Sequence, residues 1–305
     1  NNTILGCRFN FMISGQELKD FINDIDTSNT VNGKPIYYFI NKHNLTINPQ
    51  AYPTVGYLGI VNSTKITVKQ LNIKNNGDGI LLAYTDNSLV HNVTVTQNDY
   101  GISLVHSSNN TITGNNITSN ISGILLGASS SCNIAENNIT ASIYRGIDIR
   151  NSSSNNITGN SVTNTEYEGI GLEYSSNNRI FHNYFVQNWH QAMVDGANSW
   201  DDGYPSGGNY WSDYTDADLY GGPYQNETGS DGIWDHPYVI EVNNEDNYPF
   251  VKPVFLEDTT PPLLTKISQS PLNWNVLPED KVEVSATVID GLSGIKRVVL
   301  NYTTN

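Results

Sequence analysis

A glycine followed by isoleucine returns along this chain at a near-constant interval: Gly79-Ile80, Gly101-Ile102, Gly123-Ile124, Gly146-Ile147 and Gly169-Ile170, in steps of 22, 22, 23 and 23 residues. A second set of apolar residues keeps time with it. Pairs five apart stand at Val68 and Ile73, Val90 and Val95, Ile112 and Ile117, Ile134 and Ile139, Ile157 and Val162, and Ile180 and Phe185. Each period therefore holds at least two short strands. A unit of this length cannot bury its apolar side alone, so it stacks on copies of itself, and β-branched residues in fixed slots make that stack a parallel β-helix. A leucine-rich repeat has a similar length but needs a Leu-x-x-Leu-x-Leu frame, which the chain lacks. Neighbouring coils are expected about 4.8 Å apart, with like residues in ladders.

Corner residues agree. Asn76, Asn98 and Asn120 each fall three residues after the second apolar slot; Ser142 and Thr165 take that place before Asn188 restores it. Asparagine tolerates the left-handed backbone of a tight corner, and its amide can bond along a ladder.

The formal charge of −15 excludes a nucleic-acid partner, which needs clustered Lys and Arg, and disfavours an anionic membrane surface. The charge is concentrated: from Asp195 to Asp258 there are 14 acidic residues and one basic residue, Lys252. No apolar run reaches the ~20 residues of a membrane span. Cys7 and Cys132 lie too far apart in a repetitive chain to form a disulfide framework and are expected as buried thiols. Asn-x-Ser/Thr triplets at Asn1, Asn44, Asn62, Asn92, Asn109, Asn116, Asn120, Asn138, Asn151, Asn156, Asn226 and Asn301 suit a glycosylated exterior. A turn followed by an Ile-Thr strand generates the same triplet.

The segment Asn109-Asn110-Thr111-Ile112-Thr113-Gly114-Asn115-Asn116-Ile117-Thr118 resembles the right-handed β-helix repeats of the CASH and NosD-like families. Gly208-Asn209-Tyr210-Trp211-Ser212-Asp213-Tyr214, Asp231-Gly232-Ile233-Trp234-Asp235-His236-Pro237-Tyr238 and Asp246-Asn247-Tyr248-Pro249 are similar to their terminal block. The resemblance covers most of residues 1 to 255 and implies an all-β, right-handed parallel β-helix, the hand also favoured by parallel crossovers in general. Many such proteins are archaeal surface proteins, which implies a secreted or cell-surface location. Copper maturation, the role of NosD proteins proper, finds little support: His43, His91, His106, His182, His190 and His236 are scattered, and Met12 and Met193 are the only methionines.

Ile4 and Phe9 repeat the apolar pair, so the first coil is expected to begin at residue 1. Leu18, Phe21, Ile22 and Ile25 then show a short helical period, read as a small helix or an excursion, within about residues 16–35, that covers the barrel end; regular coils resume near Ile36. The β-helix is assigned to 1–197, an acidic, aromatic, loop-rich cap to 198–257, and a linker with the first half of an immunoglobulin-like module to 258–305. In that last part, strands are expected over 282–288 and 296–302 around the Asp290-Gly291 turn.

Many β-helix proteins cleave polysaccharides, and a glycosidase needs two carboxylates converging at about 5–10 Å. Asp148, Glu166, Glu168 and Glu173 are the clustered candidates. On a 23-residue step, however, Arg145 falls under Glu168 and Arg150 under Glu173, which is ordinary cross-strand pairing; no catalytic residue is assigned. Asp213, Asp216, Asp218, Asp231 and Asp235, among Gly-rich loops, offer the hard oxygen donors of a Ca²⁺ site, without the spacing of an EF-hand. Trp211, Tyr214 and Trp234 are candidates to stack on sugar rings, against the alternative of a satellite core under long loops. The expectation is a structural or adhesive surface protein rather than an enzyme. It would self-assemble, through an uncapped first coil and a half-module, into a filament or surface array. A carbohydrate-binding module, or a lyase or hydrolase of the β-helix type, is the alternative.

Overall fold

The computed structural model describes residues 1–253 and two strands beyond them, Leu263–Ser270 and Glu283–Ile289. Two units are distinguished, Asn1–Val254 and Phe255–Asn305. The first is a parallel β-solenoid of about 8 turns. Its long-strand face stacks Lys34–Ile40, Tyr57–Val61, Asp78–Ala83, Tyr100–Val105, Ser122–Gly127, Arg145–Arg150, Glu168–Glu173 and His190–Val194, all in parallel. A second face runs from Thr46–Ile47 to Arg179–Phe181 and a third from Asn72–Lys74 to Tyr210–Trp211. The apolar pairs of the repeat are the inward residues of these two faces: Ile112 sits between Val90 and Ile134, and Ile117 between Val95 and Ile139. All are fully buried. Each such side chain contributes about 1.5–3 kcal/mol by leaving water, and the ladder repeats that contribution coil after coil.

The glycine that opens each period has a steric cause. A Cβ on Gly101 would lie 2.5 Å from the carbonyl oxygen of Gly123, and the same contact recurs from Gly79 to Gly101 and from Gly123 to Gly146. Any side chain there would push the coils apart.

Buried amides replace water at the corners. The expected ladder forms, with the Asn98 side-chain amide donating to Asn120 at 3.0 Å. The left-handed backbone falls one residue earlier than expected, at Asn75, Gln97 and Ser119, because that residue turns outward and leaves the next one pointing in. A longer ladder climbs the neighbouring corner: Asn115, Asn137, Asn160 and Asn183 each donate an amide N–H to the next asparagine up, ending on Asn209, at 2.8 to 3.0 Å. Each amide also donates to a strand carbonyl of the coil below, as Asn137 does to Ile112. Such buried polar chains hold one register because a slipped one would leave amides unpaired.

Both ends of the barrel are closed by aromatics. At the start, Tyr37, Phe39 and Tyr52 pack edge-on and stacked against the core, so the first coil is not open as expected. Residues preceding it do not form a coil. Thr3–Ile4 pairs with Thr30–Val31, which folds back antiparallel on Lys34–Ile40. The excursion, with its one-turn helix Leu18–Phe21, lies on the outer side of the long-strand face, where Phe21 joins Tyr57, Leu81 and Ala83 rather than covering the barrel end. Cys7 is exposed in this segment, against expectation, whereas Cys132 is buried in the coils.

At the other end the rungs continue past residue 197. Ser199 bridges Arg179 and Tyr210–Trp211 pairs with Tyr184–Val186, so Trp200 and Trp211 occupy the interior slots above Ile180 and Phe185. Trp211 stacks on Phe185 at 4.8 Å below and on Tyr238 at 4.4 Å beside it. Asp246 locks this plug: its carboxylate accepts the backbone N–H of Asn209 at 2.6 Å, the Trp211 indole N–H at 2.9 Å and the Tyr248 N–H at 3.1 Å.

In the second unit Leu263–Ser270 pairs antiparallel with Glu283–Ile289. The latter is the strand expected over 282–288; the former was not anticipated. The expected strand over 296–302, the Asp290-Gly291 turn and Asn301 lie outside the described residues. Among the described residues no helix is long and apolar enough to cross a membrane.

Candidate functional site

The outer side of the long-strand face carries the chain's concentrated chemistry. Register places Asp78, Tyr100, Ser122, Arg145, Glu168 and His190 in one column, and a break in strand alternation at the next residue turns it outward: a Cβ on Gly146 would point into the coils against Val162, and Ile147 after it is in the core too. Its lower part is covered by the N-terminal segment. There Asp78 accepts a 2.5 Å hydrogen bond from the Ser103 hydroxyl, and burial pushes its carboxyl up to about 7. Burial raises Asp246 in the cap likewise to about 7, against the Asn209 N–H and the Trp211 indole.

Both carboxyls lie above the ordinary value of 3.8, so the folded chain holds protons that the unfolded chain releases. Their contribution to stability is complete below about pH 4 and is lost as pH rises through about 7. The thermal midpoint is therefore expected to rise as pH is lowered from about 8 to about 5, and Asp78→Asn should flatten that rise. A midpoint that falls over this window in the parent, or an equal slope in the variant, would contradict the assignment.

Higher up, the Arg145–Glu168 and Arg150–Glu173 registers are as read from the repeat, but the ion pairs are redistributed. Arg145 lies flat over Gly171, where a Cβ would come within 2.2 Å of its Nε. From there it reaches Asp148 at 2.9 Å, Glu168 at 3.1 Å and Glu173 at 2.7 Å. Arg150 instead turns back along its own strand to Asp148 at 2.6 Å. Burial alone would lower the Arg145 guanidinium, but Asp148, Glu173 and Glu168 outweigh it and hold the group above its ordinary value. Glu166 stays outside the cluster, exposed in the corner loop. With Asp148 and Glu168 buried and bonded to arginine, no pair of free carboxylates faces a cleft here.

Beside this cluster stands an aromatic ladder that the sequence reading did not single out. Tyr144, Tyr167 and Trp189 precede Arg145, Glu168 and His190 and so stand at the same corner of three successive coils. Tyr144 and Tyr167 stack at 5.8 Å with 22° between their planes. His190 stands edge-on to both Tyr167 and Trp189. Tyr167 is 49% exposed and Trp189 74%. The Arg145 guanidinium lies 4.7 Å from the Tyr144 ring centre, so the charge cluster fixes the first rung by a cation–π contact.

A family model described as periplasmic copper-binding protein (NosD) matches residues 2–216, well over half of the chain. The chain belongs to the NosD family. No curated protein sequence matches it. Among solved structures it is similar to the periplasmic alginate epimerase AlgG in its D317A form, at 19% identity and a TM-score of 0.40 over 54% of this chain and 45% of that one. It is similar also to DFA-IIIase from Arthrobacter chlorophenolicus A6 in complex with GF2, at 16% and 0.41 over 54% and 44%. A third is the D339N tailspike of E. coli bacteriophage HK620 with a pentasaccharide, at 9% and 0.35 over 58% and 48%. The match spans less than half the length of each of these proteins, and the likeness is one of fold.

The copper of the NosD description does not fit the donors this chain presents. Among the described residues no three His, Cys, Asp or Glu side chains come together to hold a metal ion. His106 stacks on Tyr84, His182 bonds to the Ser206 carbonyl and His236 to Asp216, on separate parts of the surface. The Cys132 thiol is pushed up to about 11 by burial, which disfavours the thiolate a soft metal needs.

The five aspartates proposed for Ca²⁺ do not converge either. Asp218 accepts the Asp231 and Gly232 N–H groups and the Ser230 hydroxyl, Asp235 the Leu219 and Tyr220 N–H groups, and Asp231 the Ile233 N–H. Asp216 pairs with His236, and Asp213 accepts the Tyr238 hydroxyl. Their oxygens mostly brace loop backbone in a segment whose strands, Tyr220–Gly221 and Glu227–Thr228, are two residues long. Of the three aromatics proposed for sugar stacking, Trp211 is in the core with both faces covered, while Tyr214 and Trp234 are half-buried and edge-on to each other. The interior slot above Phe185 requires a large apolar group, which a sequence without period there could not reveal.

Of the acceptor triplets, Asn1, Asn44, Asn62, Asn92, Asn109, Asn116, Asn138, Asn151 and Asn226 are exposed and Asn156 is half-buried. Asn120 is not a surface residue. It is fully buried as a ladder amide, accepting from Asn98 and donating to the Val95 carbonyl.

Proposed function

We propose that this NosD-family chain is a non-catalytic glycan-binding β-solenoid that works outside the cytoplasm, with sugar rings lying on the Tyr144, Tyr167 and Trp189 ladder. The observation that carries the reading is that ladder itself: large aromatics on consecutive coils, two of them exposed, on a scaffold that cannot rearrange. Tyr and Trp provide rigid, amphipathic contact area at low conformational cost. An exposed aromatic run on a soluble surface marks an interaction site, and a solenoid presents such a run as an extended strip. Binding without turnover follows from the neighbouring carboxylates, which are engaged by Arg145 and Arg150. The periplasmic description of the family supports the location.

Affinity electrophoresis through gels containing soluble polysaccharides tests the reading. The parent should be retarded by at least one glycan, and Trp189→Ala and Tyr167→Ala should each weaken retention roughly tenfold, about 1.4 kcal/mol, with an unchanged thermal midpoint. Equal retention of parent and variants, or no retention of the parent, would overturn it.

A further inference from the structure

We infer that the aromatic ladder selects glycans whose sugars carry no acidic group, uncharged or amino-substituted, and rejects polyuronates and sulfated chains; this rests on the glycan-binding reading above. The argument is a census of cations. Between Lys74 and Lys252 the chain has three Lys or Arg residues, Arg145, Arg150 and Arg179, against 20 Asp and Glu. All three arginines are already paired: Arg145 with Asp148, Glu168 and Glu173, Arg150 with Asp148, and Arg179 with Asp202. Arg8, reaching this side from the N-terminal segment, lies over Phe9 and acts on the Asp99 carboxylate.

A carboxylate or sulfate on a sugar lying over Tyr167 and Trp189 would thus meet only guanidiniums already held in ion pairs, because Arg8 lies lower, against Ile121 and Ile143. Recognition of such groups is a matter of charge-assisted, often bidentate hydrogen bonds from arginine. Here it would have to break an internal pair of the Arg145 cluster and leave a buried carboxylate unpaired, which is strongly unfavourable. The exposed Glu166 stands in the same corner loop as Tyr167, and the whole surface repels a polyanion before contact. The ring faces of Tyr167 and Trp189 need no charge in the ligand. A protonated amino group would find Glu166 within the same strip, so amino sugars belong to the accepted class.

The test is retention of the full chain, and of Trp189→Ala and Glu166→Lys, on a panel of neutral glucans, mannans and galactans, chitosan oligosaccharides, alginate and polygalacturonate, at two salt concentrations. Trp189-dependent retention by a neutral polymer or by chitosan, with none by alginate or polygalacturonate, is expected. Glu166→Lys should gain retention on alginate that salt abolishes. Trp189-dependent retention by alginate or polygalacturonate equal to that on the neutral polymers would overturn the selectivity while leaving the glycan-binding reading in place. Absence of Trp189-dependent retention on every polymer would overturn that reading and this inference with it.

Discussion

Arg145→Met is expected to cost about 3–5 kcal/mol of unfolding free energy at pH 7, the range for removing one partner from a buried ion pair. Methionine keeps most of the side-chain length, so the loss is electrostatic rather than a cavity. Arg145 and Asp148 are 1% and 0% exposed at their side chains, and Glu168 3%. Without the guanidinium, Asp148 keeps Arg150 but Glu168 and Glu173 lose their ion-pair partner and repel each other. Urea midpoints of parent and variant at pH 7 measure this. A deficit under about 1 kcal/mol would show that the cluster is solvated and weak. Because Arg145 also supports Tyr144, the same variant should lose glycan retention.

Asp246→Ala is expected to open the cap while the coils stay folded. The substitution strands three donors, the buried N–H groups of Asn209 and the Trp211 indole and the half-buried N–H of Tyr248. Each stranded donor costs about 1–3 kcal/mol, so the sum exceeds what the truncated side chain alone would cost. Gly208 passes so close that a Cβ there would overlap the Asp246 carboxylate, which leaves little room for water to substitute. Amide hydrogen exchange should therefore speed up across residues 198–253 and remain slow at interior rungs such as Ile112 and Ile117. Uniform acceleration along the whole chain, or none in the cap, would refute a local lock. Asp246→Asn should be damaging too, because one orientation of its amide sets the NH2 against the Asn209 and indole N–H groups and the other sets it against the Tyr248 N–H.

The fold was legible because its determinants are periodic. Glycines at a fixed step, β-branched pairs and the Arg145–Glu168 register are all properties of one residue repeated, and stacking forces them into ladders. What was not legible lacks a period or hides in one. Trp200 and Trp211 sit in interior slots reached through irregular loops, so nothing in their spacing distinguishes a core plug from a sugar platform. The cap aspartates illustrate a chemical ambiguity: acceptors that brace loop N–H groups have the same composition as a cation shell. The Tyr144, Tyr167 and Trp189 ladder did carry a signal, steps of 23 and 22 in the slot before each outward strand residue. Neither strand alternation nor the apolar pairs reach that corner, and the extra residues Ile143 and Glu166 disguise it. The same holds for Asn115, Asn137, Asn160, Asn183 and Asn209, whose last step of 26 runs through the cap.

Tryptophan fluorescence during titration with a retained oligosaccharide tests the central claim most directly. Trp200 and Trp211 are buried, while Trp189 is 74% exposed on the ladder. A saturable change in emission is predicted for the parent, and its loss in Trp189→Phe, where the ring remains to bind the sugar but no longer reports it. A change of the same size in Trp189→Phe, or binding by the parent with no change at all, would place the sugar elsewhere and contradict the account.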